Sequence, residues 1–228
     1  MPRTPRIVLP NVVHHAVSRG NNRMRIFTSH VEKQQYLHRF CSIAVEEKVL
    51  VHGYCLMDNH VHWLLTPTTV TGLARLFRRA HTWWALTFNR KHGRTGHLLQ
   101  ARFHSSPLSE DHYWTALRYV ELNPQRAKIA GRPEDFEFSS ARSHVTGNHD
   151  PRIPLAPVLT RQGFTHAQWR EFLSRTDLTR EMALRKALPA SRPCGNAEWI
   201  RDLEARFRRR LAWSPCGRPA VTNCSGAV

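Results

Sequence analysis

Apolar and polar positions alternate with period two over residues 12–18, 49–57 and 59–66, which predicts three strands. Apolar residues recur at helical spacing over 29–47 (Tyr36, Phe40, Ile43, Ala44) and over 70–91 (Leu73, Leu76, Phe77, Trp84, Phe88). Ser29 is the expected cap of the first helix, Arg19-Gly20-Asn21-Asn22-Arg23 a turn with a basic rim, and Asp58-Asn59 a hairpin turn. A fourth strand is expected over 98–104. Ser109, followed by Glu110 and Asp111, opens a further helix with Tyr113, Leu117 and Val120 as its buried stripe, and Pro124 stops it. The order βαββαβ predicts an α+β, ferredoxin-like antiparallel sheet with two helices on one face, followed by the third helix. The other face is expected to be left for His60, His62 and the third helix.

Beyond residue 150 the pattern changes. Pro151, Pro154 and Pro157 mark a linker, and short helices are expected over 165–175, 178–188 and 195–211. The chain therefore divides into residues 1–150 and a basic helical tail, 151–228. The tail holds 14 Lys+Arg against 6 Asp+Glu, so about a third of the chain carries nearly half of a formal net charge of +17. Of the 34 basic residues 29 are arginine, whose forked guanidinium matches phosphate oxygens and stacks on bases, so a nucleic-acid partner is expected. The five cysteines are odd in number and contain no C-x-x-C pair, which argues against a disulfide framework and a cysteine zinc site. No run of 18 apolar residues occurs and the basic start lacks an apolar signal core, so the expected location is the cytoplasm, with no membrane contact.

His60-Val61-His62 lies in the third predicted strand. Side chains two apart in a strand share a face, so His60 and His62 point together while Val61, Trp63 and Leu65 take the other side. Paired imidazoles suit a divalent metal. In the third helix Tyr119 lies off the apolar stripe, and Asn123 follows one turn later on the same face. A phenol can act as nucleophile and the carboxamide as a third metal ligand.

With these residues, Tyr54-Cys55-Leu56-Met57-Asp58-Asn59, Gln100-Ala101-Arg102-Phe103-His104-Ser105 and Arg118-Tyr119-Val120-Glu121-Leu122-Asn123-Pro124-Gln125-Arg126-Ala127 carry a resemblance to the bacterial REP-associated tyrosine transposases, which are HUH single-strand nucleases. Ser18-Arg19-Gly20-Asn21-Asn22 and Phe136-Glu137-Phe138-Ser139-Ser140 fit the same pattern, so the likeness runs through residues 5–146. His104, Gln125 and Phe138 depart from the family's usual residues, and none of them is assigned to chemistry. The resemblance implies a metal-dependent, ATP-independent transposase or endonuclease that cuts and rejoins single-stranded DNA beside hairpins of the REP palindrome kind. Tyr119 would form a 5′-phosphotyrosine, and His60, His62 and Asn123 would hold Mg²⁺ or Mn²⁺, the imidazoles favouring Mn²⁺.

Arg19 and Arg23 on the basic turn, Arg78 and Arg79 on the second helix, and Arg102, Arg118 and Arg126 around the centre are the expected phosphate contacts, with Arg206, Arg208, Arg209 and Arg210 in the tail. One indole of Trp83-Trp84 is expected in the core. No nucleotide cofactor is expected, and monomer and homodimer both remain open. Two alternatives stand beside this reading: a relaxase- or replication-initiator-like nickase using the same centre, and a catalytically silent hairpin DNA or RNA binder in which Tyr119 only stacks on a base.

Overall fold

The computed structural model describes residues 6–159, 163–175, 177–208 and 210–211. In chain order the elements are β1 (His14–Arg19), α1 (His30–Glu46), β2 (Val49–Leu56), β3 (His60–Pro67), α2 (Gly72–Lys91), β4 (His104–Pro107), α3 (Glu110–Glu121), α4 (Asn123–Arg126), α5 (Ala141–Thr146), α6 (His166–Ser174), α7 (Leu178–Ala190) and α8 (Ala197–Phe207). The four strands form one antiparallel sheet in the order β2-β3-β1-β4, the ferredoxin-like arrangement expected from the pattern. No helix among the described residues is long and apolar enough to cross a membrane.

The first sheet face carries Ala16, Tyr54, Leu56, Val61, Trp63 and Leu65 into a core with α1 and α2. Aromatic rings dominate it: Phe40 stacks on Trp63 with centroids 3.8 Å apart, and Trp84 donates its indole N–H to the Ile26 carbonyl at 2.9 Å. Trp83 is only half-buried, so one indole of the pair is core, as expected.

The second face takes the third helix, as expected. Cys55 and Leu64 share it with the histidines, and α3 covers them with Tyr113, Leu117 and Val120; Trp169 of α6 and Leu184 of α7 extend the same cluster. The strand ends around His60 and His62 line a pocket. The fourth strand lies later than expected. Leu98 and Phe103 both bury in the first core, yet five residues apart they would fall on opposite faces of a regular strand. The segment therefore pairs with Gly20 by a lone bridge at Leu99, loops outward through exposed Ala101 and Arg102, and begins β4 only at His104.

Both sheet edges are sealed by irregular chain. Residues 138–140 and 155–156 bond to β2, and Cys194 bonds to Pro107 and Ser109 beside β4.

Glu32 ties the two long helices together. Its Oε1 accepts from Lys91 and His92 at 2.7 Å each, its Oε2 accepts from the Thr28 N–H at 2.7 Å, and Ser29 caps α1 as expected. Burial alone would raise this carboxyl, but the donors from Lys91, Thr28 and His92 outweigh it and hold the pKa at about 2. A depressed carboxyl stabilises the fold above its ordinary pKa of 4.5 and loses that contribution as pH falls toward about 2. Glu32→Gln should therefore cost about 2 kcal/mol at neutral pH, with the gap to wild type closing through that acid window. Chemical denaturation across pH measures it; a gap independent of pH would refute the assignment.

Candidate functional site

Pairing of β1 with β3 places Arg19 opposite His60, Val17 opposite His62 and His15 opposite Leu64, while β4 brings His104 opposite Val17. Cross-strand partners share a face, so His15, His60, His62 and His104 come from three strands to one side of the sheet. There they meet α3 and α7. A pocket of about 350 Å³ is lined by Arg19, His60, His62, Gln100, His104, Tyr119, Asn123 and Arg185 with Val17, Leu188 and Pro189. All four residues expected to carry the chemistry thus line one cavity.

The imidazole hydrogen bonds fix which nitrogens are available. Asn59 donates its amide to the Arg23 carbonyl, which leaves Asn59 Oδ1 to accept from His60 Nδ1 at 2.6 Å. His60 therefore carries its proton on Nδ1 and keeps the Nε2 lone pair open. Burial, with Arg19 nearby, lowers its pKa to about 4, so the ring is neutral at physiological pH. His62 Nδ1 lies 2.9 Å from Nε2 of buried His15, leaving Nε2 as its only remaining nitrogen. Burial and the neighbouring His15 and His60 push His62 well below the ordinary imidazole value. His62 Nε2 offers a lone pair in the tautomer whose Nδ1–H donates to His15 Nε2. The two site rings sit edge to face, 5.0 Å apart.

The third helix presents the phenol. Its ring centre lies 6.0 Å from both His62 and His15. Asn123 donates its amide to the carbonyls of Tyr119 (2.9 Å) and Val120 (3.2 Å), which closes the end of α3 and leaves Oδ1 as the atom with chemistry to offer. These residues fit a divalent cation: two neutral imidazoles with open Nε2 atoms and one amide oxygen. Among the described residues no group of three or more His, Cys, Asp or Glu is placed to hold a metal ion.

Two features press α3 onto the sheet. A Cβ on Gly53 would lie 2.4 Å from Leu117 Cδ1 and 3.0 Å from Ser140 Oγ, so glycine is what lets the helix reach β2. Glu121, fully buried, accepts from Ser140 Oγ at 2.6 Å, His144 Nδ1 at 2.5 Å and Trp169 Nε1 at 2.9 Å.

The expected phosphate contacts separate. Arg19 lines the pocket, and Arg126 holds its guanidinium 4.7 Å over the Tyr119 ring while pairing with Glu181 at 2.6 Å. Arg23 is exposed on its turn. Arg118 corrects the expectation: it is only 2% exposed, beside Glu181 and over the Phe172 ring, so it joins α3 to α6 and α7 instead of facing a ligand. Arg79 is engaged by Glu46, the last residue of α1, and by Glu47, which caps it, and Arg78 and Arg102 line a different cavity. Arg206, Arg208 and Arg210 are exposed on and after α8, and Arg209 lies outside the described residues. Sequence reasoning missed His15, His104, Gln100 and Arg185; the last stands 5.7 Å from the Tyr119 ring centre and makes no ion pair among the described residues. For His15 a signal existed, since it shares strand parity with Val17 and Arg19.

A model of the IS200-like transposases matches residues 9–123. Among solved structures, a REP-associated tyrosine transposase bound to a REP hairpin is similar over 68% of this chain and 92% of that one, with 16% identity and a TM-score of 0.50. A candidate transposase from Deinococcus radiodurans R1 matches 53% of this chain and 96% of that one, with 19% identity and a TM-score of 0.34. No curated protein matches the chain. At such identities the first of these structures speaks for the fold.

The close approach at Gly53 yields a direct expectation. Gly53→Ala should force α3 away from β2 and cost about 1–3 kcal/mol, seen as a lower thermal midpoint with the sheet's circular dichroism retained; unchanged stability would mean that Leu117 repacks freely.

Proposed function

Because this chain belongs to the IS200-like transposase family, we propose that it cuts and rejoins single-stranded DNA beside hairpin elements, with Tyr119 as nucleophile. The observation that carries this reading is the convergence of His60, His62, Asn123 and Tyr119 on one pocket of about 350 Å³. His60 Nε2, His62 Nε2 and Asn123 Oδ1 would hold Mg²⁺ or Mn²⁺, and such an ion, when bound, supplies charge that polarises a non-bridging phosphate oxygen.

The chain's own residues do the rest. The Tyr119 oxygen attacks phosphorus, the bond from phosphorus to the 3′-oxygen breaks, and a 5′-phosphotyrosine forms with release of a 3′-hydroxyl. The phenol loses one proton and the leaving oxygen gains one, so no net proton or external energy is consumed. Attack by a 3′-hydroxyl on the phosphotyrosine reverses the step and rejoins DNA. Arg126 and Arg185, whose guanidinium groups lie 4.7 and 5.7 Å from the phenol ring centre, offset the phosphate's negative charge. In this reading His15 positions His62, residues 1–150 carry the nucleophile and the metal ligands, and 151–228 add Arg185 to the pocket together with further DNA contacts.

Tyr119→Phe should abolish the covalent protein–DNA adduct on labelled hairpin DNA while hairpin affinity survives. His60→Ala and His62→Ala should each slow cleavage by at least about a hundredfold with affinity kept. Tyr113→Phe is the control: it gives up a 3.3 Å hydrogen bond to His52 on the buried stripe of the same helix and should still form the adduct. An adduct in Tyr119→Phe would overturn the mechanism.

The exposed arginines of the tail give a second expectation. Replacing Arg206, Arg208 and Arg210 with Gln should lower the dependence of log affinity on log salt by about 0.7 per lost phosphate contact. Titration of hairpin DNA at several salt concentrations measures it, and an unchanged slope would remove the tail from the interface.

A further inference from the structure

The two histidines of the pocket are held by different kinds of partner. His62 faces His15, an imidazole that donates or accepts according to its tautomer, and Nδ1 of His15 is buried with no hydrogen-bond partner among the described residues. Nothing in that pair fixes which nitrogen of His62 carries the proton. His60 faces an amide, and the amide has a direction. The carbonyl of Arg23 can only accept, so the end of Asn59 that meets it at 3.2 Å is the NH2 group, and the oxygen turns to His60 Nδ1 at 2.6 Å. Proton placement on His60 is thus dictated by a backbone carbonyl two hydrogen bonds away.

That carbonyl is placed by a tight turn. The Gly20 N–H donates to the Asn59 carbonyl at 2.8 Å, so the turn holds Asn59 through its backbone as well as its side chain. Within the turn the Arg23 N–H donates to the Gly20 carbonyl at 3.0 Å, and the Met24 N–H to the Asn21 carbonyl at 2.9 Å. Asn22 and Arg23 both lie in the left-handed region, with φ of 48° and 60°. A Cβ on Gly20 would fall 2.1 Å from the Met24 carbonyl oxygen, so only glycine lets the turn close. Non-glycine residues in the left-handed region cost about 1–3 kcal/mol each and persist where the surrounding structure holds them. Here the strained pair ends in the carbonyl that meets Asn59.

We propose that Asn59 is a positioning residue of the cation site: through it the Arg23 carbonyl keeps His60 Nε2 bare before any cation arrives, which makes His60 the preset ligand, in contrast to His62. The turn of residues 20–24 is then part of the site's support and not only a basic surface. The assignment rests on the ligand set proposed above, but its first measurement needs neither cation nor DNA.

The sample is the full chain, free of metal and with isotope-labelled histidine, in which long-range proton–nitrogen correlations separate protonated from bare ring nitrogens. The His60 signals are those lost in His60→Ala. Wild type should show His60 protonated on Nδ1 alone. Asn59→Ala should show both tautomers and bind Mn²⁺, titrated by paramagnetic resonance, at least about tenfold more weakly. Asn59→Asp gives up the bond to the Arg23 carbonyl, yet both its oxygens accept, so it should restore the Nδ1-protonated form and keep Mn²⁺ affinity at or above wild type. A merely structural role for the amide would not produce that rescue. Identical His60 spectra in wild type and Asn59→Ala, or a loss of Mn²⁺ affinity in Asn59→Asp as large as in Asn59→Ala, would overturn the proposal. A wild-type protein with His60 protonated on Nδ1 that binds no Mn²⁺ would defeat the ligand assignment and leave the positioning of His60 standing.

Discussion

The structure depends most on one buried carboxylate. Glu121 ends α3 two residues after the phenol, is fully buried, and has three donors drawn from residues 140, 144 and 169. A buried carboxylate without partners is strongly unfavourable, so α3, α5 and α6 have to assemble around it together. Because Leu117 and Val120 of the same helix pack on Cys55 and Leu64, fixing Glu121 also fixes how Tyr119 faces His62. The distance between phenol and imidazole is in this sense set from behind, by contacts that never touch the pocket.

Burial also sets the electrostatics. His15, His60 and His62 are all held neutral by desolvation, in a chain whose formal net charge is +17. Protonated imidazoles would repel both a cation and the surrounding arginines; neutral ones offer lone pairs. The guanidinium groups sort by partner. Arg75 and Arg79 are matched by Glu47 and Glu46, and Arg118 shares Glu181 with Arg126, whereas Arg78 and Arg102 line a cavity with no carboxylate. Attraction for a polyanion resides in the unmatched groups, which net charge alone does not locate.

What could be read from the sequence was local in origin. A period of two put His60 and His62 on one face of β3, and a spacing of four put Tyr119 near Asn123 although the helix is interrupted at Leu122, because each pair is close in the chain. Residues that arrive through register or tertiary packing were not readable: His104 and His15 join through strand pairing, and Arg185 through the seating of α7. Arg118 was misjudged since its long stem lets a charged residue bury when a carboxylate from a distant helix meets it. The late start of β4 follows from parity, as Leu98 and Phe103 both need the first core.

The region after residue 150 shows how far the pocket reaches beyond its motifs. Trp169 supplies one of the Glu121 donors, Glu181 holds Arg126 beside the phenol, and Arg185 with Leu188 and Pro189 forms a wall. Ser191 and Ser106 then bind this segment to β4, which carries His104. A chain cut before α6 would keep both histidines, the phenol and Asn123, yet leave a buried carboxylate short of a donor and one side of the pocket open. The residues that supply lone pairs and nucleophile come from a short stretch of chain, while their relative placement is held by segments distant in sequence, so effects of substitutions in α3 and α7 should be coupled and not additive.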